Sequence, residues 1–437
     1  MKSRIIKPLL LIAALSAGVT SCERYLDITP TGRVVPQTEE DFRALLTRAY
    51  QQYPQHKALL NLKTDEVKAG NSSESLKAIY TWSEANATSE SINMPYASFY
   101  EVIFNTNYII KNLKVYNAKN AVTDQILGEA LALRAYTYFQ LLGIYAPAVQ
   151  PQNGAELAVP LVTDINLEGS FPRATLAEVY QQIWADLNQA EGLLQQEKYE
   201  AGYNYRFTTT ALHAFKARLH QHRQEWAQAL AEAEKVLAVN AELEDFNQFT
   251  VLPSHYQSKE SIMNLDLAVN ATTSRFSRVS DEHLALFDQN NDLRFAHYFK
   301  KNGNAWQTTK YKDNDYKCSF RVADLLLIKA EAEAHLGQEA ASKSTLIQLA
   351  EKRYNAIGLQ AFKAKINALS GADYLQELWN ERARELSFEG LRWGDLRRTT
   401  QPEITHIFDG QTYKLSAQDA RYTTPFPKEA RLKNPQL

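Results

Sequence analysis

Two cysteines in 437 residues exclude a disulfide scaffold. Charge of one sign is lacking as well: 48 basic residues against 50 acidic ones leave a formal charge of −2. No global field remains to recruit nucleic acid by counterion release, and no such partner is expected. The apolar stretch at residues 9–17 is too short to cross a bilayer as a mature helix. Neither a Gly-rich phosphate loop, nor HExxH, nor a Cys/His pattern occurs, so the sequence indicates no cofactor and no zinc. What it does have is an apolar share of 45%, ample for a large core, and a surplus of aromatics: 23 Tyr, 18 Phe and 6 Trp.

The N-terminus reads as an address. Lys2, Arg4 and Lys7 precede the apolar stretch and small residues follow it, as in a secretory signal. Val19-Thr20-Ser21-Cys22 resembles a bacterial lipobox, whose cysteine sulfur takes diacylglycerol and whose freed amine takes a further acyl chain. Residues 1–21 are therefore expected to be a lipoprotein signal peptide, with Cys22 the lipidation site. Each buried methylene contributes roughly 0.8 kcal/mol of membrane affinity, so several chains anchor firmly. Residues 23–36, with Pro30, Gly32 and Pro36, read as an extended tether. Acylation of Cys22 leaves Cys318 as the only free thiol. Lys317 and Arg321 favour its thiolate, but no His lies close in sequence, and a small semi-apolar filler is the expected role.

Apolar periodicity predicts helices over residues 38–50, 96–115, 123–143 and 175–194, the last opened by a Thr175/Glu178 capping box. Residues 208–222 and 226–239 form a helix pair around a polar turn, and 321–336 and 339–354 repeat the arrangement. A last long helix covers 372–389. Small residues permit close helix contact, so tetratricopeptide-like packing is expected at Ala214, Ala217, Ala229 and Ala233, and at Ala323, Ala330, Ala334 and Ala341. Residues 60–95 and 240–318 differ, being polar and aromatic with short strand-like stretches such as 261–267. A mainly α scaffold of helical hairpins displaying long irregular segments suits binding better than catalysis.

Glu381, Glu385 and Glu389 share one helix face at i, i+4 spacing. Glycoside hydrolysis needs two carboxylates in separate roles, one of them a proton donor. Arg382, Arg384, Arg392, Arg397 and Arg398 crowd the same stretch and lower carboxylate pKa values, which opposes that role. An ion-pair network is expected instead. His213 and His220 stand two helical turns apart, roughly 10 Å and too far to share an ion, and His222 adds no ligand pattern. Asp313, Asn314 and Asp315 lack a spaced calcium loop and read as a polar turn. Aromatics in the irregular segments are the better lead, because sugar ring faces stack on Tyr and Trp while hydroxyls need polar partners. Tyr80 and Trp82 stand beside Ser83, Glu84 and Asn86; Trp306, Tyr311 and Tyr316 stand beside Asn302, Asn304 and Gln307. These five are the candidate ligand-binding residues, for an oligosaccharide or a peptide, with no catalytic residue among them.

Several stretches resemble the SusD/RagB family of lipid-anchored nutrient-binding proteins of Bacteroidetes. The start Cys22-Glu23-Arg24-Tyr25-Leu26-Asp27 is similar to the family's start after lipidation. Asn107-Tyr108-Ile109-Ile110 resembles its helix with a central asparagine, and Leu133-Arg134-Ala135-Tyr136 its arginine-alanine-aromatic helix. The most specific match is Asn380-Glu381-Arg382-Ala383-Arg384-Glu385-Leu386 through Gly390-Leu391-Arg392-Trp393-Gly394-Asp395. The resemblance implies one helical domain over residues 22–437, with 22–205 like the family's N-terminal region and 255–437 like its C-terminal region. It implies a surface-exposed, non-enzymatic outer-membrane protein acting as a hinged lid on a SusC-like TonB-dependent transporter. It also implies a ligand site drawn from the two irregular segments. A lipid-anchored tetratricopeptide-like scaffold for protein assembly is the competing expectation.

Overall fold

Capping chemistry sets where the helices begin. Asn120 accepts hydrogen bonds from the Val122 and Thr123 amides, while the Thr123 hydroxyl accepts one from the Asn120 amide. Two orphaned donors are thus satisfied reciprocally. Thr175 and Glu178 form the same box where the sequence places it. The computed structural model describes residues 36–116, 119–148, 154–165, 169, 171–311 and 315–437; Cys22, the tether up to residue 35, Asp313 and Asn314 lie outside the described residues.

The helices that carry the scaffold are α1 (Glu39–Gln51), α2 (Ala97–Tyr116), α3 (Ala121–Tyr145), α4 (Leu176–Glu191), α5 (Thr209–His222), α6 (Trp226–Val239), α7 (Val322–His335), α8 (Glu339–Ala350), α9 (Ala356–Ala368), α10 (Gly371–Glu385) and α11 (Arg392–Arg398). The fold is mainly α, with tetratricopeptide-like hairpins and few short strands. Helix α3 is apolar on nearly every side and is buried accordingly. Its one cation, Arg134, donates two bonds to Asp186 of α4, at 2.6 and 2.8 Å, and one to Asn107 of α2, at 2.7 Å. The motif arginine and the motif asparagine therefore fasten three helices together, each partner desolvated but satisfied.

In the α5–α6 hairpin Ala214, Ala217, Ala229 and Ala233 are all fully buried. In α7–α8 Ala323 and Ala330 are buried, but Ala341 is exposed. Ser342 makes the close contact instead, its Oγ 2.5 Å from the Ala330 carbonyl and 2.6 Å from the Tyr374 hydroxyl. The two hairpins pack on each other through α6 and α7, where the Trp226 and His335 rings stack at 4.0 Å. Helix α8 stops at Ala350, short of the expected 354, and α9 follows behind an Asn355 cap. Helix α10 ends at Glu385 because Phe388 and Gly390 take left-handed φ values of 57° and 72°. Just beyond Gly390, Arg392–Arg398 form α11.

The glutamate row is scaffold. Glu385 accepts from Arg294, Arg321 and Arg353; Glu381 from Arg294 and Arg384; Glu389 from Arg321 and Lys310. Burial pushes the Glu381 carboxyl up, but Arg294 and Arg384 outweigh it and hold it down at about 2. Cys318 is buried, and that burial pushes its thiol up to about 12, so it is filler. His213 and His220 each bond a glutamate at 2.6 Å, Glu232 and Glu225 respectively.

The strands are β1 (Val67–Ala69), β2 (Leu157–Pro160), β3 (Arg173–Thr175), β4 (Ser261–Met263), β5 (Ser277–Val279), β6 (Phe299–Asn302), β7 (Ala305–Thr308), β8 (Phe320–Arg321), β9 (Ile404–Phe408) and β10 (Gln411–Leu415). They pair antiparallel as β1–β5, β2–β3, β4–β8, β6–β7 and β9–β10. The first pair sets Val67 opposite Val279 and so joins the two irregular segments directly.

Candidate functional site

The five aromatic candidates fall into four environments. Tyr80 and Trp82 are 0% and 2% exposed, a correction to their expected role as stacking rings. Residues Glu74–Tyr80 form a helix rather than a loop, and its end turns both rings inward against β9. His406 lies parallel to both, with centroids at 4.1 Å from Tyr80 and 4.3 Å from Trp82, so the two rings cover opposite faces of the imidazole. Trp82 Nε1 donates to the Lys63 carbonyl at 3.0 Å, and the Tyr80 hydroxyl accepts from the Ala69 amide at 3.0 Å. This is core packing with its polar edges satisfied.

Trp306 is half-buried on β7, edge-on to Phe295 at 4.9 Å and paired across the hairpin with Lys301, whose Nζ stands 5.5 Å from its ring centre. Tyr311 is half-buried against the core. Tyr316 stands edge-on to His255 at 5.4 Å, and His255 lies 4.9 Å from Tyr256. Burial, and then the neighbouring Asp315 charge, push the Tyr316 hydroxyl pKa up.

Tyr256 opens onto a cavity of about 390 Å³. Its walls are Tyr50 and Gln51 at the end of α1, Gly202, Asn204 and Tyr205 from the turn before α5, and Tyr256, Asn264, Leu265, Asp315 and Lys317 from the second irregular segment. Asn204 organises them: its amide nitrogen donates to the Tyr256 carbonyl at 2.8 Å, Ser261 Oγ at 3.0 Å and Asn264 Oδ1 at 3.2 Å. The Asn264 amide returns a bond to the Asn204 carbonyl at 2.8 Å, and its side chain donates to the Lys317 carbonyl. Tyr205 stands edge-on to Tyr50 at 5.5 Å, and the Tyr50 hydroxyl accepts from the Phe207 amide at 3.1 Å. Half-buried rings above a fixed polar floor are what a sugar needs, an apolar face to stack on and donors at its edge. Among the described lining residues Asp315 is the only carboxylate.

Two other cavities fit a ligand less well. The one of about 480 Å³ beside α4 contains Arg173, but that guanidinium already bonds the Ala158 and Leu157 carbonyls and lies over Phe426. The one of about 180 Å³ where Asn93 meets Asn270 has no aromatic lining. The sequence reading missed Asn204, Tyr205, Tyr256 and Lys317. Gly202-Tyr203-Asn204-Tyr205 carries the same aromatic-plus-amide texture as the segments it did single out, in a connection between two helices.

A family model described as SusD family matches residues 188–436, and a SusD-like model described as starch-binding, associating with the outer membrane, matches residues 24–220. SusD-like protein P38 of Formosa agariphila is 24% identical over 487 residues, spanning 91% of this chain and 92% of that protein. A SusD superfamily protein from Bacteroides fragilis superposes with a TM-score of 0.79 at 22% identity, covering 92% of this chain and 100% of its own. A SusD-like carbohydrate binding protein from Bacteroides vulgatus gives 0.70 at 19% identity, covering 92% and 98%. One family model alone spans more than half of the residues, and the whole-chain likeness in fold agrees with it: the chain belongs to the SusD family.

Proposed function

We propose that this protein captures an oligosaccharide in its tyrosine-lined cavity, uncut, at the bacterial surface. The observation that carries the reading is the cavity itself, where Tyr205 and Tyr256 stand half-buried over the Asn204–Asn264 floor. The family model's description as starch-binding and outer-membrane-associating supports a glycan over a peptide, as does the carbohydrate-binding name of the Bacteroides vulgatus neighbour. Tyr316, edge-on to His255 beside Tyr256, extends the reading as a flanking contact, and Trp306 and Tyr311 stay candidates for a longer chain. The lipobox supports an acyl anchor at Cys22 after loss of residues 1–21, with residues 22–437 as one domain. Partnership with a SusC-like TonB-dependent transporter completes the proposal, the anchored lid keeping ligand at high local concentration above the pore.

Calorimetric titration with a panel of oligosaccharides tests the capture step. Tyr205→Ala and Tyr256→Ala should each weaken the best ligand by about tenfold, as loss of a central aromatic contact does. Unchanged affinity in both variants removes the cavity from consideration, and shortened chains after incubation overturn the non-enzymatic part. Pull-down from outer membranes tests the partner: a large β-barrel protein should co-purify, whereas soluble partners alone favour the assembly scaffold. Cys22→Ala should release the protein from membranes.

A further inference from the structure

We propose that Lys317 makes the tyrosine-lined cavity selective for sugars that carry a carboxylate or a sulfate. The inference rests on reading that cavity as the glycan site. Lys317 is half-buried on the cavity wall, and among the described residues its ammonium makes no hydrogen bond and no ion pair. Asp266 is the charge that acts on it, but no bond joins the two: Asp266 Oδ2 has Lys57 Nζ 3.1 Å away and accepts from the Tyr136 hydroxyl at 2.6 Å, and Oδ1 accepts no hydrogen bond from Lys317. Asp315, the other lining charge, acts on the Tyr316 hydroxyl rather than on Lys317. Burial accordingly lowers the Lys317 pKa, as expected of a cation short of counter-charge.

The backbone that carries that cation is fixed at the cavity wall. Lys317 bridges Leu267, its carbonyl accepts from the Asn264 side chain, and the next amide, that of Cys318, donates to the Asp266 carbonyl at 2.8 Å. A partly dehydrated ammonium with no partner is a cost to the empty cavity that an anionic ligand relieves. Lysine acts as a point charge rather than a planar fork, so it accepts carboxylate and sulfate alike, while Tyr205 and Tyr256 offer their faces to the ring that carries the anion.

Titration of the purified full chain against four probes of matched length decides this: an oligogalacturonate (carboxylated), a carrageenan oligosaccharide (sulfated), a laminarin oligosaccharide and a maltooligosaccharide (both uncharged). A tetraglutamate peptide is the fifth arm. One of the two anionic sugars should bind tightest, and which one names the anion. Lys317→Met should weaken it by about tenfold, the scale of one hydrogen bond to a charged group, while Lys317→Arg retains most of the affinity. Uncharged probes should be indifferent to Lys317→Met, whereas Tyr256→Ala should weaken charged and uncharged sugars alike. If an uncharged sugar binds tightest, or Lys317→Met changes nothing while Tyr256→Ala still does, the charge selectivity is overturned and the cavity stands. If neither Tyr205→Ala nor Tyr256→Ala changes anything, no sugar binds, or only the peptide binds, the cavity reading falls and this inference with it.

Discussion

Glu66 is a buried acid with half of its carboxylate unsatisfied. One oxygen accepts from the Phe388 amide at 3.2 Å, and the other has no partner among the described residues. Burial, reinforced by the adjacent Asp65, pushes its pKa from 4.5 up to about 8. A folded-state value above the unfolded one means stability that is complete below pH 4.5 and lost as pH rises through 8. Glu66→Gln, which cannot ionise, should therefore melt near the wild type at pH 5 and several degrees above it at pH 9. Equal melting temperatures across that range would refute the assignment. Glu381 titrates the other way: with its carboxyl held at about 2 by Arg294 and Arg384, its contribution is present above 4.5 and lost on acidification. Its row was legible in the sequence from i, i+4 spacing, and so was its structural role. Its main partners were not, because Arg294, Arg321 and Arg353 sit on other elements and no local pattern points from one to another.

Element boundaries were legible wherever a side chain enforces them. The Thr175 box is readable as text, and so is the α5–α6 hairpin from its polar turn. The α10 terminus was not, since the periodic glutamates run past the point where the backbone turns left-handed. Beyond the helix, a long-range contact requires glycine at 390. A Cβ on Gly390 would sit 2.4 Å from Lys57 Cβ, and Lys57 cannot retreat, because its Nζ bonds the Cys318 carbonyl at 3.1 Å and pairs with Asp266. Gly410, in the β9–β10 turn, has the same φ of 72° but open space around it. The two glycines separate conformational cost from steric cost. Gly410→Ala should cost about 1–2 kcal/mol, the price of a left-handed alanine. Gly390→Ala should cost about 3 kcal/mol or more, because overpacking adds to it. Denaturant titration of the two variants checks the difference, and equal losses would show that Lys57 yields.

At the scale of the whole molecule, capture and folding draw on different aromatics, and the sequence does not tell them apart. Trp82 has the polar neighbours of a loop residue, yet those neighbours flank a helix end and its ring is core. Tyr256 has similar neighbours and lines the cavity. The distinction comes from assembly: Tyr50, Tyr205 and Tyr256 belong to three distant segments, brought together when α1, the turn before α5 and the second irregular segment meet. No single stretch of text contains that convergence. Two substitutions make the separation measurable. Trp82→Ala removes a ring that fills space beside His406 and should cost about 3–5 kcal/mol of stability, the range for a buried large aromatic. The folded fraction should still bind the best oligosaccharide with wild-type affinity. Tyr256→Ala should reverse the pattern, melting within a few degrees of the wild type while losing most of its affinity, because its ring is only half-buried and its backbone bonds remain. Weakened binding in Trp82→Ala at temperatures where it is fully folded would place the ligand on the His406 side of the protein and empty the tyrosine cavity of its role.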